Sequence, residues 1–277
     1  MLIELEMNKF IIVLILYCIS YTKASSQSVR KINAFTFGEK LIYQGYYNWG
    51  FIWIHAADIQ FSVTNKNLGT CQAYWFEADA TSLPSYDWFY KVKDKFQSLV
   101  ISNNFSPVWF EQNTSEGGYT VHQTYSFDTN QHRMFRYGEF SNKPKIRDTV
   151  EIPSSSFDVL TSIYYSRNID FEKYTINDRF TIHTIIDGVV YAIYIRYLGK
   201  DFIKMHDQSA IYRCIKFSVL AVDGTIFKGG ENIMVWVTDD EDRIPVMVEA
   251  KILVGSVRGY LKSAVGLKNE LSAKYTK

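Results

Sequence analysis

The strongest constraint on this chain lies in residues 233–254, where apolar side chains recur at the two-residue period of a β-strand. Val235 and Val237, then Ile244, Val246, Val248, Ala250 and Ile252, alternate with other residues. Between the two runs stands Thr238-Asp239-Asp240-Glu241-Asp242-Arg243. Unpaired charge is too costly to bury, so this block reads as a solvated turn and the segment as a β-hairpin.

The same alternation runs through most of the chain. Leu41, Tyr43, Gly45 and Tyr47 share a face, Asn48-Trp49-Gly50 turns, and Ala57, Ile59, Phe61 and Val63 alternate with Asp58, Gln60 and Ser62. Further strands are expected at 73–80, 90–100, 109–112, 119–127, 132–137, 179–186, 189–198, 202–206, 211–219 and 225–227. Gly255 reads as a bulge ahead of a last strand at 256–261. One helix interrupts the pattern over residues 157–168, with Ser154, Ser155 and Ser156 as candidate caps, Asp158 at its positive end, and Phe157, Leu160, Ile163 and Tyr164 as its buried stripe. The fold class expected is therefore all-β and mainly antiparallel, a strongly curved sheet or partly closed barrel with one packed helix. A two-sheet sandwich is the alternative.

The N-terminus carries a different signal. Asn8 and Lys9 precede an apolar run at 10–18, and small residues lead to Ala24, so residues 1–24 read as a secretory signal peptide, with Met7 as an alternative start. The run falls short of the roughly 20 apolar residues a spanning helix needs. Lipoprotein anchoring through Cys18 is disfavoured because Tyr17 is too bulky for the small residue such a site requires. The expectation is an exported chain, periplasmic or secreted, with no transmembrane anchor once mature. Residues 25–267 then form a single β-rich domain and 268–277 a flexible polar tail. A formal net charge of +1 implies no nucleic-acid partner. Cys71 and Cys214 remain after signal removal; a disulfide and two buried thiols are both open readings.

No chemical motif stands out. The Asp239–Asp242 carboxylates lack the spacing and glycine of a calcium loop, the five histidines make no metal spacing, and no nucleophile elbow or phosphate-cradling loop occurs. No cofactor or metal is expected, and no catalytic residue is assigned. Asp94 shares the register of Tyr90, Val92 and Phe96, so its carboxylate points toward the apolar face, with Arg196 as a candidate partner in a structural ion pair. The aromatics Trp49, Trp53, Trp75, Trp88 and Tyr90 are candidate ligand-binding residues. They read either as sheet packing or as the wall of an apolar cavity.

Several segments look alike to a known family. Gly38-Glu39-Lys40-Leu41-Ile42-Tyr43, Trp49-Gly50-Phe51-Ile52-Trp53, Tyr90-Lys91-Val92-Lys93-Asp94-Lys95-Phe96, the run from Phe157-Asp158-Val159 to Ser166-Arg167, and Val235-Trp236-Val237 through Arg243-Ile244-Pro245-Val246 fall in order along the chain. Together they resemble an uncharacterised family of exported bacterial proteins, domain of unknown function 3108. The resemblance implies an exported, mainly β domain and brings neither an activity nor catalytic residues. In outline such a sheet is similar to lipoprotein carriers of the bacterial periplasm. The leading expectation is non-enzymatic binding of a lipophilic small molecule, such as a lipid or acyl chain, in the cell envelope. The alternatives are a scaffold that contacts an envelope protein, and a hydrolase whose site is scattered along the chain.

Overall fold

Alternating segments fold as strands that pair mostly with their neighbours in sequence. A first meander runs through β1 (Lys40–Trp49), β2 (Ile52–Asn67), β3 (Gln72–Ser82), β4 (Val92–Ile101), β5 (Pro107–Glu116), β6 (Tyr119–Asp128), β7 (Arg133–Phe140) and β8 (Lys143–Glu151). After the short β9 (Ser156–Asp158) and the helix α1 (Val159–Ser166), a second meander runs through β10 (Arg179–Ile186), β11 (Val189–Lys204), β12 (Ala210–Ala221), β13 (Gly230–Thr238), β14 (Pro245–Lys251) and β15 (Ser256–Val265). A last strand, β16 (Lys274–Thr276), pairs with the start of β12. The structure, a computed structural model, describes residues 34–49, 52–69, 71–88, 90–205, 207, 210–221, 230–252 and 255–276. The expected signal segment at 1–24 and the expected strand at 225–227 lie outside the described residues. Among the described residues no helix is long and apolar enough to cross a membrane.

Antiparallel pairing of β1 with β15 joins the two meanders into one sheet, with β8 at one end and β9 at the other. Among the described residues the only parallel pair is β9 with β10. The ring of strands is therefore broken between β8 and β9, and side chains hold the two arms around α1. Gln123 Nε2 on β6 donates to Asp187 Oδ1 in the β10–β11 turn at 3.2 Å, and the Gly188 amide donates to the Tyr125 hydroxyl at 2.9 Å. Gly188 has φ +76°, and a Cβ there would collide with the Arg136 guanidinium. The positive φ favours glycine here, while the guanidinium, at the end of a flexible side chain, could shift. This is a partly closed barrel in one continuous sheet, not a sandwich of two.

The main core fills the concave side. Val63, Phe76, Val100, Phe110, Tyr125 and Met134 from the first meander meet Ile182, Ile195, Ile215, Phe217 and Val235 from the second, with Leu160 and Tyr164 of α1 between them. A second cluster gathers Tyr212, Cys214, Trp236, Ile244, Val246 and Met247, and Leu267 and Leu271 pack against it. Val235 and Val237 belong to the first cluster and Trp236 to the second, so β13 is buried on both faces.

Several expectations need correction. The helix spans 159–166 rather than 157–168 because residues 156–158 extend the sheet; Asp158 caps it by accepting from the Thr161 amide. Ile163, placed on the buried stripe, is 42% exposed. Strand β8 escaped the alternation argument because Lys143, Lys145, Arg147 and Asp148 give it the charged composition of a protected edge. The strands expected at 189–198 and 202–206 are one strand, β11, with a register shift near Gly199. Gly255, at φ +82°, sits in the turn between β14 and β15 rather than in a bulge. The tail is not frayed: Ala273 is fully buried and the Arg213 amide donates to its carbonyl at 2.9 Å. Both described cysteines are free, with Cys214 buried, so no disulfide joins them.

The charged turn is the largest correction. Asp242 is fully buried and Arg243 nearly so. The tail supplies donors: Asn269 Nδ2 reaches Asp242 Oδ1 at 2.6 Å, and the Asn269 amide reaches Oδ2 at 3.2 Å. Asp239 Oδ2 accepts from Lys200 at 2.9 Å and Arg213 at 3.1 Å, while Asp240 Oδ1 accepts from the Thr238 hydroxyl at 2.6 Å. Burial is tolerated because these carboxylates have their own donors.

Candidate apolar binding cleft

The helix that positions the cleft is anchored at both ends by buried charge. At its start, Asp158 Oδ1 accepts from the Ser98 hydroxyl at 2.7 Å and the Thr161 amide at 2.8 Å, and Oδ2 accepts from the Thr161 hydroxyl at 2.6 Å. Burial pushes this carboxyl above its ordinary range despite those bonds. At its end stands Arg167, whose side chain is 2% exposed. Its Nη1 and Nη2 donate to both oxygens of Glu39 at 2.6 and 2.8 Å; Nη2 also reaches the Ala34 carbonyl at 2.7 Å, and Nε the Asp242 carbonyl at 3.0 Å. Three of the segments that carry the family resemblance thus meet at one guanidinium. Tyr164 stacks on Phe76 with ring centroids 4.0 Å apart, which fixes the inner face of α1.

What remains of α1 faces an apolar cleft of about 240 Å³. Ile59 and Phe61 from β2, Ala78 and Ala80 from β3 and Phe96 from β4 form its floor, and Val159, Leu160 and Ile163 form its helical wall. Asp79 borders it, but that carboxylate lies 3.6 Å from Lys95, whose neighbours Asp94 and Phe96 point the other way. Small alanines at 78 and 80, in register with Phe61 and Ile59, leave the space open. Ile163 overhangs it from the helix, which explains an exposed apolar side chain on an otherwise buried element.

Asp94 lies at the edge of this cleft, the direct cross-strand neighbour of Ala80. The Ser115 amide donates to its Oδ1 at 3.2 Å, and it shares a hydrogen bond with Glu116. Burial, then the neighbouring Glu116 charge, push the Asp94 carboxyl up to about 7. Tyr90 packs over Gly117 next to this pair; a Cβ on Gly117 would meet its ring at 2.5 Å. Burial first, then Glu116 and Asp94, raise the Tyr90 hydroxyl.

The residues singled out from sequence fare unequally. Asp94 does point inward, but Arg196 is not its partner. Arg196 is bonded to Glu231 at the far side of the sheet, with Tyr194 and Ser218 on the same carboxylate. Tyr90 and Asp94 are brought together at the cleft edge. Trp75 lies on the opposite face, stacked on Trp109 at 5.5 Å under Lys66. Trp53 carries Arg258 over its ring at 4.1 Å, and Trp88 is 83% exposed. The Trp49 side chain lies outside the described residues. The cleft is built instead from aliphatic residues and two phenylalanines, whose strand periodicity in the sequence matches ordinary sheet packing. Among the described residues no group of three or more histidine, cysteine, aspartate or glutamate side chains is placed to hold a metal ion.

Comparison with known proteins bears on the fold and the family. No curated protein matches the chain. A crystal structure described as a β-barrel-like protein of domain of unknown function DUF1849, from Brucella abortus, is similar with a TM-score of 0.52 at 8% identity, over 86% of this chain and 98% of that one. At that identity the likeness shows the fold alone. The family model described as "Protein of unknown function (DUF3108)" matches residues 42–262, most of both meanders, and the chain belongs to that family.

Proposed function

We propose that this protein is exported and holds the apolar chain of an amphiphile, such as a lipid or acyl chain, in the cleft between α1 and strands β2–β4, without catalysing a reaction. The observation that carries the reading is the cleft itself: about 240 Å³ lined by apolar side chains, with Ile163 left 42% exposed above it. Covering the part of Ile163 still open to water is worth roughly 1 kcal/mol, a driving force a chain of methylenes adds to as it covers the floor. Small barrels and curved sheets hold lipophilic ligands in this way. Support for export is the signal-like segment at residues 1–24.

The test is occupancy with and without space. Purified protein is examined by native mass spectrometry for a co-purifying lipid, and titrated with the neutral probe N-phenyl-1-naphthylamine. Ala80→Phe fills the cleft and is expected to abolish probe binding with the urea midpoint unchanged. Trp75→Ala, on the other face, is expected to leave binding intact. Probe binding that survives in Ala80→Phe and disappears in Trp75→Ala would overturn the reading.

A further inference from the structure

The cleft has an acidic mouth on one side, and among the described residues no cation faces it. Asp94 extends the row of Ile59 and Ala80 across the sheet, and Phe96 follows it on the same face. The groups turned toward its carboxyl are Glu116 and the Ser115 amide from β5 and Tyr90 from the β3–β4 connection. Ala80 of β3 and the α1 residues Val159, Leu160 and Ile163 bring no charge. The lysines of this region point away: Lys95 meets Glu77 at 3.1 Å on the outer face, Lys93 shares its parity, and Lys91 lies 3.6 Å from Asp87.

We propose that this mouth selects the ligand by its head group, admitting a single-chain amphiphile with a hydrogen-bond-donating, non-anionic head, and that Asp94 is the specificity-determining residue. The inference rests on the apolar-ligand reading above. An apolar chain lying on Phe61, Ala78 and Phe96 brings its head beside Asp94 and Glu116, whose oxygens accept hydrogen bonds from a hydroxyl, amide or ammonium and repel an anion in a half-desolvated setting. Because burial and Glu116 hold the Asp94 proton to about pH 7, selection strengthens as pH rises through that value.

Three ten-carbon probes of equal chain length and fixed charge separate the outcomes: decanol, decylamine and decanesulfonate, each displacing N-phenyl-1-naphthylamine from the full chain. At pH 8 the alcohol and amine are expected to bind at least about tenfold more tightly than the sulfonate, and at pH 5.5 the gap should shrink to about threefold or less. The nearly isosteric double variant Asp94→Asn, Glu116→Gln should close the gap at both pH values. Equal binding of all three probes by the wild type, or a gap the variant leaves in place, would overturn the head-group inference alone. Failure of all three to bind at either pH would remove the apolar-ligand reading and this inference with it.

Discussion

Replacing Arg167 tests the central physical claim, that one buried guanidinium ties the helix to both meanders. Its side chain and that of Glu39 are 2% and 0% exposed, and the pair is bidentate at 2.6 and 2.8 Å. Arg167→Met leaves the Glu39 carboxylate buried without its counter-charge, which costs about 3–5 kcal/mol. It also strips donors from the Ala34 and Asp242 carbonyls, at about 1–3 kcal/mol each where no water reaches them. The sum is roughly 5 kcal/mol or more, comparable to the whole stability of many domains. Glu39→Met leaves a buried arginine that keeps its two carbonyls, so its cost is about 3–5 kcal/mol. The double variant removes both charges and leaves only the penalty of the two carbonyls, about 2–6 kcal/mol, without the cost of an unpaired buried charge. The double variant should therefore be more stable than Arg167→Met alone. Urea denaturation by linear extrapolation measures all four corners of the cycle. A double variant less stable than Arg167→Met, or an Arg167→Met cost under about 1 kcal/mol, would refute the reasoning.

Three further outcomes are expected. Asp94 binds its proton more tightly folded than unfolded, so between about pH 4 and pH 7 the ligand-free protein loses stability as pH rises and then levels off. The full shift corresponds to about 4 kcal/mol, which solvent screening at this half-exposed group reduces to about 1–2 kcal/mol; urea midpoints across that range should show the slope, and Asp94→Asn should flatten it. A thiol reagent should label Cys71 in the native protein and reach Cys214 only on unfolding, since burial pushes the Cys214 thiol up to about 12; equal native labelling rates would contradict the placement of Cys214. Deleting residues 268–277 removes the Asn269 donors from the buried Asp242 carboxylate and should cost roughly 3 kcal/mol, read as a lowered urea midpoint and faster proteolysis of the β13–β14 turn.

The repeating strands were legible in the sequence because one face of each is buried and the other wet, as at Ala57, Ile59, Phe61 and Val63. Where that asymmetry fails, legibility fails with it. Strand β8 is charged along most of its length because it forms an edge, and β13 is buried on both faces because its Trp236 joins a second cluster against which Leu267 and Leu271, some thirty residues later, also pack. The Asp239–Arg243 turn departs from the expected solvated loop for the same reason: a charge block is solvated unless something distant brings donors, and Asn269, Arg213 and Lys200 do so. The cleft was not legible at all. Ala78, Ala80 and Ile163 look like any strand or helix residue until the helix is docked, and aromatic clusters such as Trp75 draw the eye to the wrong face. Asp94 was placed correctly by its register, while its neighbour Glu116 required the pairing of β4 with β5.

The pairing of β1 with β15 also dictates when the molecule can finish folding. Each meander is assembled from hairpins whose strands follow one another closely, so these contacts form quickly as a chain is made. The bond between Tyr43 and Leu261 positions spans over two hundred residues, and no local event substitutes for it. Until residues 256–265 emerge, β1 and β14, ten and seven residues long, each keep one edge of unpaired backbone donors and acceptors. A chain halted at that stage has most of its secondary structure and two open edges, the state in which it is most prone to pair with another copy of itself.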